Sequence, residues 1–95
     1  MRLVSLRKAQ DNIHKYVAVV EQDTGRQRTI RFGAAGMSDF TKNKDTARKE
    51  RYLERHKRNE DWNDPLTAGF WSRWLLWNKP TISASLADIR ERFGL

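Results

Sequence analysis

The 95-residue chain has no cysteine, which excludes a disulfide framework, a thiolate metal site and a cysteine nucleophile. Long apolar runs are missing as well. The longest, Val17 to Val20 and Trp74 to Trp77, fall far short of the ~20 residues that a membrane-spanning helix needs. The first ten residues alternate charge with Leu3, Val4 and Leu6, so they lack the continuous apolar stretch of a secretory leader. Only two histidines occur, His14 and His56, in different segments and without the His-x-x-x-His spacing that sets two metal ligands on one helical face. Chain length adds a further limit. A globular chain of this size buries roughly 60–70% of the surface its unfolded form exposes, enough for one modest core but leaving little room for a deep substrate pocket. A multidomain enzyme is ruled out, and the expectation is a soluble protein inside a cell or packaged in a particle.

What the chain does have is positive charge and tryptophan. Nineteen Lys and Arg against 12 Asp and Glu give a net charge of +7, and there are four Trp and four Phe. The charge is polarised: residues 1–35 carry +4, residues 36–58 carry +4 and residues 59–95 carry −1. Several cations acting on one field favour a polyanion, whether nucleic acid, an acidic lipid face or an acidic protein. The plainer alternative is a solvated basic helix that keeps a small protein soluble.

Tyr16 to Val20 is β-branched and apolar on both faces, Asp23-Thr24-Gly25 supplies turn chemistry, and Arg28 to Phe32 alternates charged and apolar residues. This predicts a β-hairpin over about 15–33, closed by a type I turn and a following bulge with Gly25 at positive φ. Ile30 and Phe32 then share one face with Arg28, while Arg31 points the other way. Leu3 to Leu6 is a candidate third strand on an edge. Gly33 to Thr41 reads as a loop, and its Gly-x-x-Gly spacing lacks the Lys-Ser/Thr pair of a phosphate-binding loop. Asp45 or Asn43 caps a helix over about 45–58, with a narrow apolar face around Tyr52 and Leu53. Pro65 breaks the chain, with Trp62 expected to anchor this loop to the core. Thr67 caps a second helix over about 67–78, on which Phe70, Trp71, Trp74, Leu75 and Asn78 form one stripe. Leu76 and Trp77 widen that arc, as core or as an aromatic patch for a partner. Pro80 ends it. Ser83 or Thr81 caps a last helix over about 82–93, stopped by Gly94.

Catalytic chemistry finds little footing. Ser38, Ser72 and Asp39 come without a nucleophile elbow. His56 beside Glu60 and Asp61 is a possible metal or general-base cluster at a helix end, although a lone His among bases is more often a surface or packing residue. Asp39, Asp45, Glu60, Asp61 and Asp64 are candidate metal ligands for a nuclease only by being present. Basic residues interleaved with aromatics are better supported: Arg28, Arg31 and Phe32 on the hairpin, then Arg48, Arg51, Tyr52 and Arg55 on the helix. Guanidinium groups grip phosphates through two bonds, and exposed rings stack on bases. No zinc finger, RNP aromatic pair or basic zipper is present to read a sequence, so the expected binding is phosphate-driven and salt-sensitive.

Four blocks carry a resemblance: Arg31-Phe32-Gly33-Ala34-Ala35-Gly36-Met37-Ser38-Asp39-Phe40-Thr41, Arg48 to His56, Glu60-Asp61-Trp62, and Thr67 to Pro80 with its Gly69-Phe70-Trp71-Ser72 core. Over residues 15–93 the chain resembles a short domain family of giant DNA viruses and bacteriophages, one with no assigned activity. The resemblance implies a viral setting and a role in particle structure or assembly. A more distant phage version carries cysteines near the Arg-His pair and in a Trp-Ser-Cys block. Here Lys57, Arg58 and Arg73 stand instead, and packing by Trp62, Trp71 and Trp74 would replace any metal clip.

The expectation is one small basic α+β domain spanning 1–95: a β-hairpin or small antiparallel sheet packed against about three helices. The leading function is a non-enzymatic viral structural or assembly protein, in the host cell interior or the virion. Its basic face docks on nucleic acid, an acidic viral protein or scaffold, or the capsid interior. Arg28, Arg31, Arg48, Arg51, Arg55 and Arg58 are the candidate polyanion-binding residues. Trp62, Trp71, Trp74 and Trp77 are the candidate core or protein-contact residues. No cofactor, metal or membrane is expected. A dedicated nucleic-acid-binding regulator is the alternative, with a small metal-dependent nuclease far behind.

Overall fold

The computed structural model describes residues 1–95 and has an α+β architecture. Three antiparallel strands, β1 (Arg2–Lys8), β2 (His14–Glu21) and β3 (Gln27–Ala34), form a sheet in the order β1-β2-β3. The central place falls to β2 because it alone is apolar on both faces. Ala18 and Val20 face the helices and are fully buried, and Val17 is 4% exposed on the opposite face, where it lies with Arg7 and Arg31. The β2–β3 turn has the expected chemistry. Gly25 sits at φ 88° and donates its amide to the Gln22 carbonyl, while the Gln22 amide reaches the Arg26 carbonyl. This is the type I turn with a glycine bulge. Register then pairs Tyr16 with Phe32, Ala18 with Ile30 and Val20 with Arg28.

The helices cover one face of the sheet. α1 (Phe40–Asn43) is a single turn in the stretch expected to be loop, started by the Asp39 carboxylate, which accepts from the Thr41 amide. α2 (Thr46–His56) is capped by Asp45, which accepts from the Arg48 amide. α3 (Ala68–Trp71) is capped by Thr67 and runs on into a π-helical turn, Ser72–Leu76. α4 (Ile82–Phe93) starts at Thr81 and stops at Gly94. The core gathers Ala18, Val20, Ile30 and Phe32 from the sheet with Phe70, Trp71, Leu75, Leu76 and Ile89 from the helices. Phe32 and Trp71 meet at 6.0 Å between ring centroids, where large apolar rings supply most of the burial a small domain has.

The π turn changes which residues of the tryptophan-rich segment face inward. The Trp77 amide bonds to the Ser72 carbonyl, five residues back, so the side chains after Ser72 lag behind a regular helical stripe. Leu75, Leu76, Trp77 and Asn78 are buried, whereas Trp74, expected on the core stripe, is only half-buried. The helix stops at Leu76, short of the expected 78. Trp62 also differs from expectation. It is half-buried, and the 57–67 connection is held by indoles reaching into it: Trp71 Nε1 donates to the Pro65 carbonyl at 2.8 Å and Trp74 Nε1 to the Trp62 carbonyl at 2.7 Å.

Gly33, in β3, has φ 75°, and a Cβ there would lie 2.8 Å from Leu76 Cδ1 and 3.1 Å from Lys15 Cβ. Gly25 has a similar φ with open space around it. Both positions therefore carry the left-handed strain of roughly 1–2 kcal/mol for an L-residue, but only Gly33 adds a collision. Gly33→Ala is expected to lower the unfolding free energy clearly more than Gly25→Ala in urea melts. Equal losses would mean that the close approach of Leu76 to the sheet is unimportant.

Candidate nucleic-acid interface

The largest cleft, about 580 Å3, opens between α2, the end of the sheet and the start of α3. One wall is the face of α2 bearing Arg48, Arg51, Arg55 and His56. The other is formed by Gly33, Met37 and Ser38 on one side and by Glu60, Gly69 and Ser72 on the other. Helical spacing explains the arginine row, because positions 48, 51 and 55 are three and four apart and fall on one face. Its floor includes Tyr52 and Trp77.

Tyr52 is the buried residue of α2, and it joins two rings. Trp77 stacks on it at 4.5 Å with planes 8° apart, and His56 stacks at 4.2 Å with planes 22° apart. Two rings at such distances cannot share one face of a phenol, so the order is Trp77, Tyr52, His56, with the imidazole at the end. Burial pushes the Tyr52 hydroxyl up to about 12, helped by the charge of Glu60. Burial also raises that of Tyr16, with Asp39 adding to it.

The carboxylates near the cleft are occupied. Glu60 accepts from Trp62 Nε1 at 2.9 Å through one oxygen and pairs with His56 Nδ1 at 2.9 Å through the other. Its side chain lies across Gly69, where a Cβ would come within 3.0 Å of the carboxyl carbon. Asp39 is 1% exposed. It pairs with Lys15 Nζ at 2.5 Å, and it accepts from the Thr41 amide and the Thr41 hydroxyl. Asp45 caps α2, Asp61 accepts from the Asn63 amide and Asp64 from the Leu66 amide. No three His, Asp or Glu side chains come together as a metal-binding group.

The arginines are free. None of Arg48, Arg51 and Arg55 makes an ion pair or side-chain hydrogen bond within the chain, whereas Lys57 pairs with Glu54 and Lys49 turns inward to the Asn78 carbonyl at 2.7 Å. Burial lowers the pKa of Lys49, with Arg73 and Lys79 adding to the effect. Arg58, beyond the end of α2, is exposed and outside the cleft lining.

The hairpin cations lie elsewhere. Strand alternation sends Ile30 and Phe32 toward the helices and Arg31 to the far face of the sheet, beside Arg7, Gln10 and Asp11. Arg28 is exposed opposite Val20, near the turn. One continuous basic surface from both segments is therefore not formed. The rings expected to be exposed also differ: Phe32 is 1% and Tyr52 8% exposed, and His56 is the ring that reaches solvent. Of the four tryptophans, Trp71 and Trp77 are core. Trp62 and Trp74 flank the Arg73 guanidinium at 5.4 and 4.1 Å, away from the cleft. Sequence reasoning missed Lys15, Gly33, Gly69 and Ser72 as cleft residues. It singled out Glu60 beside His56 by their helical spacing, as a cluster with Asp61; Glu60 does bond His56, while Asp61 turns to the Asn63 amide.

A family model described as a family of unknown function, DUF5754, matches residues 4–56, more than half of the chain. The chain belongs to the DUF5754 family. No curated protein and no solved structure matches it. The DUF5754 match runs from β1 to the last residue of α2, so it contains Lys15, Asp39, the three cleft arginines and His56. Glu60, Gly69, Ser72, Leu76 and Trp77 come from the segment beyond it.

A neutral buried phenol in the folded state against an ordinary one near 10 in the unfolded chain means that the unfolded state releases its proton first. Stability is present below pH 10 and is lost as pH rises from 10 toward 12. Tyr52→Phe is expected to flatten that alkaline decline, measured as urea midpoints across the range. An unchanged decline in the variant would show that Tyr52 ionises as freely in the fold as outside it.

Proposed function

We propose that this chain is a non-enzymatic structural or assembly protein of a virus or bacteriophage, and that its α2 cleft docks on a polyanion, with nucleic acid favoured. The observation that carries the reading is the row of Arg48, Arg51 and Arg55 along one cleft wall with no carboxylate partner inside the chain. A row of like charges costs stability through mutual repulsion, and an incoming phosphate chain relieves it while accepting two bonds from each guanidinium. The carboxylates that would otherwise neutralise the row are held elsewhere: Glu60 by His56 and Trp62, Asp39 by Lys15. The viral setting rests on the four sequence blocks, above all Gly69-Phe70-Trp71-Ser72.

A dedicated nucleic-acid-binding regulator is the second reading, favoured by the His56 ring at the cleft wall, which a purely electrostatic contact does not need. The Arg31 face adds a separate basic surface. Its cations lie beside Asp11, and Arg2 at the edge is tied to Glu21 at 3.2 Å.

Binding of the whole chain to nucleic acid should weaken linearly with the logarithm of salt concentration, with a slope of about −0.7 to −0.9 per phosphate neutralised. Arg48→Ala with Arg51→Ala is expected to remove most of the low-salt binding and to flatten the slope by about 1.5. Arg31→Ala should change little. No binding by the parent at low salt would overturn the nucleic-acid reading and point to an acidic protein. Mass spectrometry of purified particles tests the structural role, which fails if the chain is absent from them and from assembly intermediates.

A further inference from the structure

We infer that the occupant of the α2 cleft is a single strand of nucleic acid, with one base stacked on the outer face of His56 and its phosphates on Arg48, Arg51 and Arg55. The inference rests on the polyanion reading above and adds the form of the ligand.

Size is the first argument. A cleft of about 580 Å3 is in the range of small-ligand sites, roughly 300–1,000 Å3, so it accommodates a nucleotide or two. A duplex has no base that can enter it, since its base faces are stacked on one another and only base edges in the grooves and the two backbones are presented. The arginine row is the second. With a rise of about 1.5 Å per residue, Arg48 and Arg55 stand about 10 Å apart along α2. Stacked nucleotides of one strand advance by about 3.4 Å each, and further when extended. The row therefore follows about four successive phosphates of a stacked strand, or about two to three of an extended one.

The rings are the third argument, and they decide the form. Trp77, Tyr52 and His56 make a column of nearly parallel planes, anchored in the core at the Trp77 end. The column ends on an imidazole whose side chain is 38% exposed. One face of that ring is covered by Tyr52 and its edge is fixed by Glu60. The imidazole is thus held in place before any ligand arrives, and a base added to its open face continues an existing stack. Histidine is among the side chains on which splayed-out bases stack, and such stacking tolerates any base because every base has a π face. Only an unpaired base can take that place.

The test uses the whole chain and three fluorescent probes of equal length: a mixed-sequence single-stranded DNA, the same sequence as RNA, and the DNA duplex, read by anisotropy at low salt. Both single strands should bind at least tenfold more tightly than the duplex. His56→Ala should weaken single-strand binding by about tenfold, the usual size of one lost base stack, and weaken duplex binding far less, because a duplex loses no stacked base and feels only the release of Glu60 near the arginine row. His56→Phe, which keeps a ring and loses the Glu60 bond, should retain most of it. Circular dichroism confirms that each variant is folded. Duplex binding equal to or tighter than single-strand binding overturns the inference and leaves the polyanion reading intact, as does single-strand binding unchanged in His56→Ala. Loss in His56→Phe as large as in His56→Ala also overturns it, because the ring plane would not be what binds. Failure of every probe to bind overturns the nucleic-acid reading on which the inference rests. A preference between the two single strands identifies the sugar.

Discussion

Tyr52 and Trp77 lie face to face at 4.5 Å, and this contact holds a highly charged helix against a small core. α2 presents little else that is apolar, because Leu53, Lys49 and His56 are only half-buried around it. A helix of eleven residues is marginal by itself, so its position depends on tertiary contacts. The phenol supplies the central one, assisted by Lys49 bound to the Asn78 carbonyl and lying 5.0 Å over the Phe40 ring. With the inner face fixed at Tyr52, the helical period fixes the rest. Arg48, Arg51 and Arg55 must flank the buried face, at the cleft, and Glu54 and Lys57 are left to pair with each other at the surface.

The same contact orders the chemistry of the cleft. Trp77 reaches Tyr52 because the π turn ends at Leu76 and places the next residue inward. His56 then stacks on the other side of the phenol, and Glu60 follows within a helical turn to take its Nδ1. Gly69, at the start of α3, gives Glu60 the space to lie there. Lys15 and Asp39 close the far end as a nearly dry ion pair, an arrangement in which loss of one partner is costly because the other charge stays buried. Both acidic groups of the cleft are thereby committed within the chain, and the arginine row keeps its field.

The fold was legible wherever local chemistry acts alone. Asp23-Thr24-Gly25 dictated the hairpin turn, Thr67, Asp45 and Thr81 supplied the caps, and the narrow apolar face of 45–58 was placed around Tyr52 and Leu53, although Tyr52 was expected as an exposed ring and is the buried residue of the helix. Legibility failed where a side chain's fate is settled by a distant segment. Trp74 fits a regular stripe better than Leu76 does, and the π hydrogen bond from Trp77 to Ser72 exchanges their places. The single turn at Phe40–Asn43 is shorter than any periodicity can reveal. Arg31 and Arg48 look equally available in sequence, yet they belong to opposite sides of a sheet covered on one face. The pairings of Lys15 with Asp39 and of His56 with Glu60 separate which acids neutralise which bases, and only the second is visible as a helical spacing.

A residue-resolved nitrogen–proton correlation spectrum of the labelled chain, titrated with a short single-stranded oligonucleotide, tests the central claim most directly. The account predicts that the amides of Gly33, Met37, Arg51, Arg55, His56 and Gly69 shift together and saturate together, while those of Arg7 and Arg31 stay in place. Shifts centred on Arg7 and Arg31, or spread evenly over every exposed base, would contradict it.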